Sequence, residues 1–279
     1  MRRTLCAGSV PRASFRELVG AAAGAGFDAV SVWTRTHARA TSREGLSEAD
    51  MRMLLRDHGL VVSEIEAVDT WLPVEVAPVV GNPPLGVEAF LDLAATLEAQ
   101  AIVAIQSAGP DLPFDLVVDH FGKLCESART RGLRVALEAP PFTVIDDTNK
   151  AWAIIEAAAA DNGGLLLDTW HHRRSRATDG DLEKIPADRF FGLQLADGPS
   201  TPEADLLEET IWRRQPPGLG DFELAALLRQ LDRQGVRCVV GAELYDEDGD
   251  HSDPAATARR LAGQLDQLFD AAGVSSFGC

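Results

Sequence analysis

Short apolar runs alternate with longer amphipathic stretches from one end of the chain to the other, eight times in all. The runs are TLCAG (4–8), DAVSVW (28–33), LVVSEIEA (60–67), AIVAIQ (101–106), LRVALE (133–138), GLLLD (164–168), FFGLQLA (190–196) and CVVGAEL (238–244). Runs this short and rich in Val, Ile and Leu read as buried strands. The stretches between them predict helices near 14–25, 47–58, 86–99, 115–131, 147–160, 178–184, 221–234 and 254–271. Start signals support several of these: Ser14 and Ser47 stand three residues before Glu17 and Asp50, and Asp253 precedes Pro254. Gly26, Gly59, Gly132, Gly163 and Gly235 stand just ahead of the following strand, where a helix would end. Strands that alternate with helices pair in parallel, and eight such units in 279 residues predict a closed (β/α)8 barrel. With no linker or low-complexity stretch, residues 1–279 are expected to form a single domain. The longest irregular segment, 197–220, follows the seventh strand, and a loop of that length is expected to serve function.

Strand ends carry the chemical signal. The last four runs finish in Glu138, Asp168, Gln194 and Glu243. A buried apolar strand has no use for a carboxylate at its end unless something there needs one. Side chains alternate faces along a strand. In the fifth strand, Val135 and Leu137 face the helices, so Ala136 and Glu138 point inward. The same parity sends Asp168 inward behind Leu165 and Leu167, and Gln194 inward with Gly192 behind outward Phe191, Leu193 and Leu195. It sends Glu243 inward with Gly241, and also Trp33, Gln106, Glu64 and Glu66, leaving Val61, Ser63, Ile65 and Ala67 outward. All four polar ends then meet at the C-terminal rim, where barrel active sites lie. Three carboxylates and an amide oxygen form an oxygen cage for one hard divalent cation, Mn2+ or Mg2+ in the first place, with Co2+ or Zn2+ as alternatives.

At these residues the chain resembles the xylose-isomerase-like TIM barrels, the sugar phosphate isomerase/epimerase superfamily. The resemblance runs over nearly the whole chain and implies a single (β/α)8 TIM barrel. It implies one divalent metal held by Glu, Asp, His or Gln, and Glu on the last four strands, here Glu138, Asp168, Gln194 and Glu243. A D-x-x-H pattern occurs in LDTWHH (167–172) as Asp168 and His171. QLADGP (194–199) followed by RRQPPGLGDFEL (213–224) is similar to the H/Q-x-x-D and R-x-x-P-G-x-G stretches of many members, with one extra proline. The resemblance implies an isomerase or epimerase acting on a keto-sugar or polyol. Gln194, where sugar epimerases usually carry His, looks more like the dehydratase branch, the 3-dehydroshikimate and inosose dehydratases, which are lyases. A non-catalytic binding barrel is a third reading, against which the complete ligand set argues. Members of this group often pair, so a homo-oligomer is an expectation.

Both reactions begin with removal of a proton beside a carbonyl. Glu138, Glu243 and His171 are the expected catalytic groups. Trp33, Glu66, Gln106, His171, Arg213 and Arg214 are the expected contacts to a small polyol, keto-sugar or cyclic hydroxy-ketone. The arginines stand in the long seventh loop, with Arg214, nearer the PPGLG turn, the stronger candidate and a solvated residue of little weight in folding. His172 is expected to point away from the site, and His37, His58, His120 and His251 to be surface or loop residues.

Composition excludes other classes. A net charge of −17 repels phosphate backbones, and six histidines with no basic groove do not suit a multi-metal DNA-repair site. No apolar run approaches the ~20 residues that span a membrane. MRRTLCAGSVPRASF has two arginines but no apolar segment behind them, so the expected place is the cytoplasm. The four cysteines, Cys6, Cys125, Cys238 and Cys279, have no C-x-x-C spacing and read as reduced thiols. There is no Walker, G-x-S-x-G or dinucleotide-binding pattern; GAAAGAG (20–26) has the wrong spacing for the last.

Overall fold

Each apolar run forms a parallel strand, and the eighth closes on the first. In the computed structural model, which describes residues 2–74, 85–106, 111–245 and 253–274, these are β1 (Arg3–Leu5), β2 (Ala29–Trp33), β3 (Val61–Val68), β4 (Ala101–Ala104), β5 (Arg134–Leu137), β6 (Gly163–Asp168), β7 (Phe190–Leu195) and β8 (Val239–Ala242). Strand order is β1 to β8 without a crossover, and β1 pairs with both β2 and β8. The chain is a (β/α)8 barrel. His251 and Cys279 lie outside the described residues; Cys6, Cys125 and Cys238 are buried cysteines. Among the described residues no helix is long and apolar enough to cross a membrane.

The helices are α1 (Phe15–Gly24), α2 (Thr34–Arg43), α3 (Glu48–Asp57), α4 (Val87–Thr96), α5 (Phe114–Arg129), α6 (Thr148–Ala158), α7 (Thr169–Arg174), α8 (Asp179–Leu182), α9 (Leu206–Trp212), α10 (Leu224–Gln234) and α11 (Pro254–Ala272). Both anticipated capping boxes form, Ser14 with Glu17 and Ser47 with Asp50, and Asp253 accepts from the amides of Ala255 and Ala256. Such caps each contribute about 1 kcal/mol to their helices.

Three helices were not legible. α2 reads TRTHARATSR and has no apolar stripe. α7 is a short turn grown directly from Asp168, and α9 lies inside the supposedly irregular segment 197–220. The helix expected at 178–184 shrinks to the four residues of α8. Gly163 does not end a helix: it opens β6, and Ala159 takes the left-handed position after α6 (φ 50°).

The core has two parts. The larger packs the outward residues, such as Ile102, Val135, Leu165, Leu167, Leu193 and Val240, against the helices. The smaller lies inside the barrel, where Val103, Ile105, Ala136, Leu166 and Phe191 meet, with Ala67 against them. Phe191 and Ala67 were expected outward. Each sits at a register shift: Leu165 pairs with Phe190 but Leu166 with Gly192, and Ile65 pairs with Ile102 but Val68 with Ala104. An extra residue on one strand reverses the alternation locally. A third shift, between Val30 and Val32 opposite β3, accompanies Ser63, whose hydroxyl meets that of Thr4 at 2.7 Å instead of facing the helices. The β1–β3 side of the lumen is therefore polar.

The seventh loop is closed at its base. Asp197 and Gln215 exchange backbone hydrogen bonds of 2.8 and 2.7 Å. The buried Asp197 carboxylate also accepts from the amides of Gly198, Gly218 and Phe222. A Cβ at Gly220 would fall 2.5 Å from the Gly198 nitrogen and against Asp197 Oδ1, so only glycine fits.

Candidate active site

Asp168 is placed most firmly. As the last residue of β6 it also caps α7, with Oδ1 accepting from the amides of Trp170 (2.7 Å) and His171 (3.3 Å). Glu138 and Glu243 lie one residue beyond β5 and β8, yet their amides still bond Ala104 O and Leu195 O at 3.0 Å. The sheet ladder therefore orients both.

Glu138, Asp168 and His171 converge: one ligand-capable atom of each lies within 4.8 Å of the others. His171 Nε2 is 3.5 Å from Glu138 Oε1 and 3.5 Å from Asp168 Oδ2. His171 was expected to serve catalysis and substrate, not this carboxylate group. The other two expected ligands adjoin each other, with Gln194 Nε2 3.5 Å from Glu243 Oε1. Arg214 joins the two pairs. Its Nη1 donates to Asp168 Oδ2 at 2.7 Å and lies 3.3 Å from Glu243 Oε2, while Nη2 lies 3.2 Å from His171 Nε2. With its side chain 3% exposed, Arg214 is a buried counter-ion, which corrects the expectation of a solvated loop residue. Arg213 turns away: it is 59% exposed and pairs with Glu203, so it does not reach the strand ends. His172 also points away, between Thr148 and Asp179.

The remaining expected contacts are at or near this rim. Trp33 Nε1 donates to Glu66 Oε2 at 3.3 Å, and the Trp33 ring packs 5.5 Å from Tyr245. Gln106 is fully buried and neither amide atom has a hydrogen-bond partner among the described residues; Glu66 Oε1 has none either. Two further residues belong here. A Cβ on Gly8 would lie 2.8 Å from Glu243 Oε1 and 3.2 Å from the Trp33 ring, so Gly8 floors the site beside Glu243. Phe142, which is exposed, lies against His171 with the two ring centres 5.8 Å apart and the planes nearly perpendicular. Inward parity carried one step past Cys6 finds Gly8; nothing in the sequence singles out Phe142 except its place four residues after Glu138.

Charge in the site is unbalanced. Glu66, Glu138, Asp168 and Glu243 are all buried here, with the Arg214 guanidinium on Asp168 and Glu243 and that of Arg35 on the Trp33 ring. Burial, reinforced by the neighbouring carboxylates, pushes Glu138 and Glu243 well above the usual carboxylate range. Burial also pushes Glu64 and Glu66 up to about 7. At Asp168 burial acts upward too, but the charge and hydrogen bond of Arg214, with His171, hold the pKa below its usual value. Burial pushes His171 down to about 4, so its ring is neutral near pH 7. A divalent cation fits this surroundings: carboxylates exceed cations, and Gln194 Oε1 is a buried acceptor with no donor among the described residues. Glu138, Asp168 and His171 form a group able to hold a metal ion.

These shifts predict how the metal-free protein responds to pH. A carboxyl whose folded pKa exceeds its unfolded value stabilises the fold while protonated, and that stabilisation is lost as pH rises through the folded pKa. Between pH 5.5 and 7.5, Glu64 and Glu66 should each lose about 2 kcal/mol on this account. His171 acts oppositely: its depressed pKa favours the fold above its unfolded value, a gain of roughly 1 kcal/mol over the same interval. The carboxyls prevail. Calorimetry of the metal-free protein should give a lower Tm at pH 7.5 than at pH 5.5. A Tm that rises over that interval would contradict the assignment.

A closed (β/α)8 barrel with a carboxylate–histidine group at the C-terminal rim defines a barrel with a candidate metal site. The chain belongs to the xylose isomerase-like TIM barrel family, whose profile matches residues 19–268. Over 136 residues it is 32% identical to a 3-dehydroshikimate dehydratase of Pseudomonas aeruginosa, covering 47% of this chain and 21% of that protein. Over 131 residues it is 32% identical to an inosose isomerase of Halalkalibacterium halodurans, covering 46% and 45%. The match thus spans less than half the length of either curated relative. Among solved structures, a xylose isomerase-like TIM barrel/4-hydroxyphenylpyruvate dioxygenase fusion protein superposes with TM-score 0.85 at 22% identity, over 98% of this chain and 43% of that one. The IOLI protein with a zinc atom superposes with TM-score 0.80 at 18% identity, over 98% of both chains.

Proposed function

We propose that this chain is a divalent-metal-dependent isomerase or epimerase that removes a proton beside the carbonyl of a small keto-sugar, polyol or cyclic hydroxy-ketone. The observation that carries the reading is the convergence of Glu138, Asp168 and His171 at one rim, with Arg214 joining Asp168 to Glu243, beside the unpartnered Gln194 Oε1. Glu138, Asp168, Gln194 and Glu243 would hold the cation, with His171 close enough to join them. When bound, the cation supplies polarisation of the substrate's carbonyl and charge neutralisation at the rim. Glu138 takes the proton from the substrate carbon, and Glu243, three strands further on, returns a proton to the same or the neighbouring carbon. Neutral His171 hydrogen-bonds a substrate oxygen, and Arg214 orients another. Trp33 forms an apolar wall. Glu66 and Gln106 take the distal hydroxyls, which would give their unpartnered atoms hydrogen bonds. The zinc atom of the IOLI structure supports a transition metal in a barrel of this shape.

A second reading is dehydration by the same site. Gln194 in place of a histidine, and the identity shared with a 3-dehydroshikimate dehydratase, favour it. Elimination needs the same base and then protonation of a departing hydroxyl in place of proton return.

Metal analysis of purified protein should find about one divalent cation per chain, lost in Glu243→Ala. With Mn2+ supplied, keto-sugars, inosose and dehydroshikimate are then assayed for both isomer formation and loss of water. An ion with fewer than three of the named side chains around it, or no metal-dependent conversion in any class, would overturn the proposal.

A further inference from the structure

The guanidinium of Arg214 stands on a loop, and loops seldom hold a charged head within a few tenths of an ångström. What holds this one is a second buried arginine. Arg174, the last residue of α7, forms a two-pronged pair with Glu209 on α9: Nε to Oε2 at 3.0 Å and Nη2 to Oε1 at 2.7 Å. Their side chains are 2% and 0% exposed. The Arg174 guanidinium is flanked by the rings of Trp170 and Phe222, at 4.7 and 4.8 Å, and also donates to Pro199 O. Beside it, Trp170 Nε1 donates to Thr210 Oγ1 at 3.0 Å. The carbonyl of Thr210 in turn accepts from Arg214 Nε at 3.1 Å.

These contacts close a circuit. It runs from Asp168 along α7 to Arg174, across the ion pair to Glu209, along α9 to Arg214, and back to Asp168 at 2.7 Å. A buried ion pair is a poor source of net stability, because desolvation of two charges offsets most of their attraction. Its bidentate form does fix the relative orientation of the two helices that carry it.

We propose that the Arg174–Glu209 pair is a positioning element: it sets where the Arg214 guanidinium stands over Asp168 and Glu243. The inference rests on the reading of Arg214 as a substrate-orienting group. Neither Arg174 nor Glu209 touches the rim carboxylates; both act through α9.

Two measurements on the full chain test it. The first uses neither substrate nor metal. Phenylglyoxal labelling, read by peptide mass spectrometry, compares Arg214 with the exposed Arg213 as internal reference. In Glu209→Gln, Arg214 should label at least about tenfold faster than in the unaltered protein, with Arg213 unchanged. Arg174→Lys keeps the charge but loses the fork, should fold if Glu209→Gln does not, and should release Arg214 likewise. The second is a double-mutant cycle on kcat/KM with whichever substrate the protein converts. Glu209→Gln should lower kcat/KM about tenfold when Arg214 is present and cause little further loss in Arg214→Ala. A purely architectural role predicts losses that multiply, and that result overturns the proposal. So does unchanged Arg214 labelling in both folded variants. If the unaltered protein converts no substrate, the proposed function fails and the labelling still decides the positioning role.

Discussion

Glu138→Gln is expected to reduce turnover by roughly 10²- to 10⁴-fold, the range for losing a positioned general base. The amide preserves shape and one oxygen ligand but cannot accept a proton, so metal content should fall less than activity. Geometry favours Glu138 over Glu243 as the abstracting base. Glu243 is engaged by Arg214 and Gln194, whereas Glu138 faces His171, 3.5 Å away and neutral. A carboxylate with fewer competing donors is the better proton acceptor. Steady-state rates for Glu138→Gln and Glu243→Gln, with metal content measured for each, check this. Near-normal turnover in Glu138→Gln would transfer the role to Glu243.

Arg214→Ala is expected to have two effects, one of which a solvated loop residue would not show. Removing one member of a buried ion pair leaves the other charge uncompensated, a cost of about 3–5 kcal/mol. Glu243 escapes part of this by taking up a proton, since its pKa is already raised. Asp168 is fully buried and loses in this variant the guanidinium that holds its pKa down, so the cost falls on it, as an uncompensated charge or as a forced protonation. Metal-free Arg214→Ala should therefore melt about 10 °C lower, and Mn2+ should recover much of the loss. With metal present, kcat/KM should still be about 10- to 100-fold down, from the lost charged hydrogen bond to substrate. Unchanged melting of the metal-free variant would mean that Arg214 does not balance Asp168 in solution.

Strands were the legible part of the chain, because runs such as GLLLD and FFGLQLA combine β-forming residues with the lengths a parallel barrel needs. Inward parity placed Glu138, Asp168, Gln194 and Glu243 at one rim. It failed at Phe191, Ala67 and Ser63, where the alternation is broken by register shifts that depend on the partner strand. α2 escaped notice because its ten residues carry no apolar stripe, so its helicity is a matter of tertiary context. The two loop arginines look alike in sequence. Only the folded loop, with α9 docked on Trp170 and Arg174, turns Arg214 in and Arg213 out.

The lumen is lined by apolar side chains where β4 to β7 bring Val103, Ala136, Leu166 and Phe191 together, and is hydrogen-bonded and carboxylate-rich along β1 to β3. Apolar packing tolerates little change of volume, whereas a buried hydroxyl or carboxyl that loses one partner, at about 1–3 kcal/mol if nothing replaces it, can be satisfied again by a hydroxyl of a bound substrate. The barrel thus has a stiff side and a compliant side. Glu138, Asp168 and Gln194 rise from the stiff side, so changes at Ser31 or Ser63 leave the strands that carry them in place, while Glu66 acts on Glu138 and Glu243 through its charge. A lineage, or an engineer, seeking a new substrate would find its freedom on the compliant side, where the pocket can be redrawn while the chemistry stays where it is.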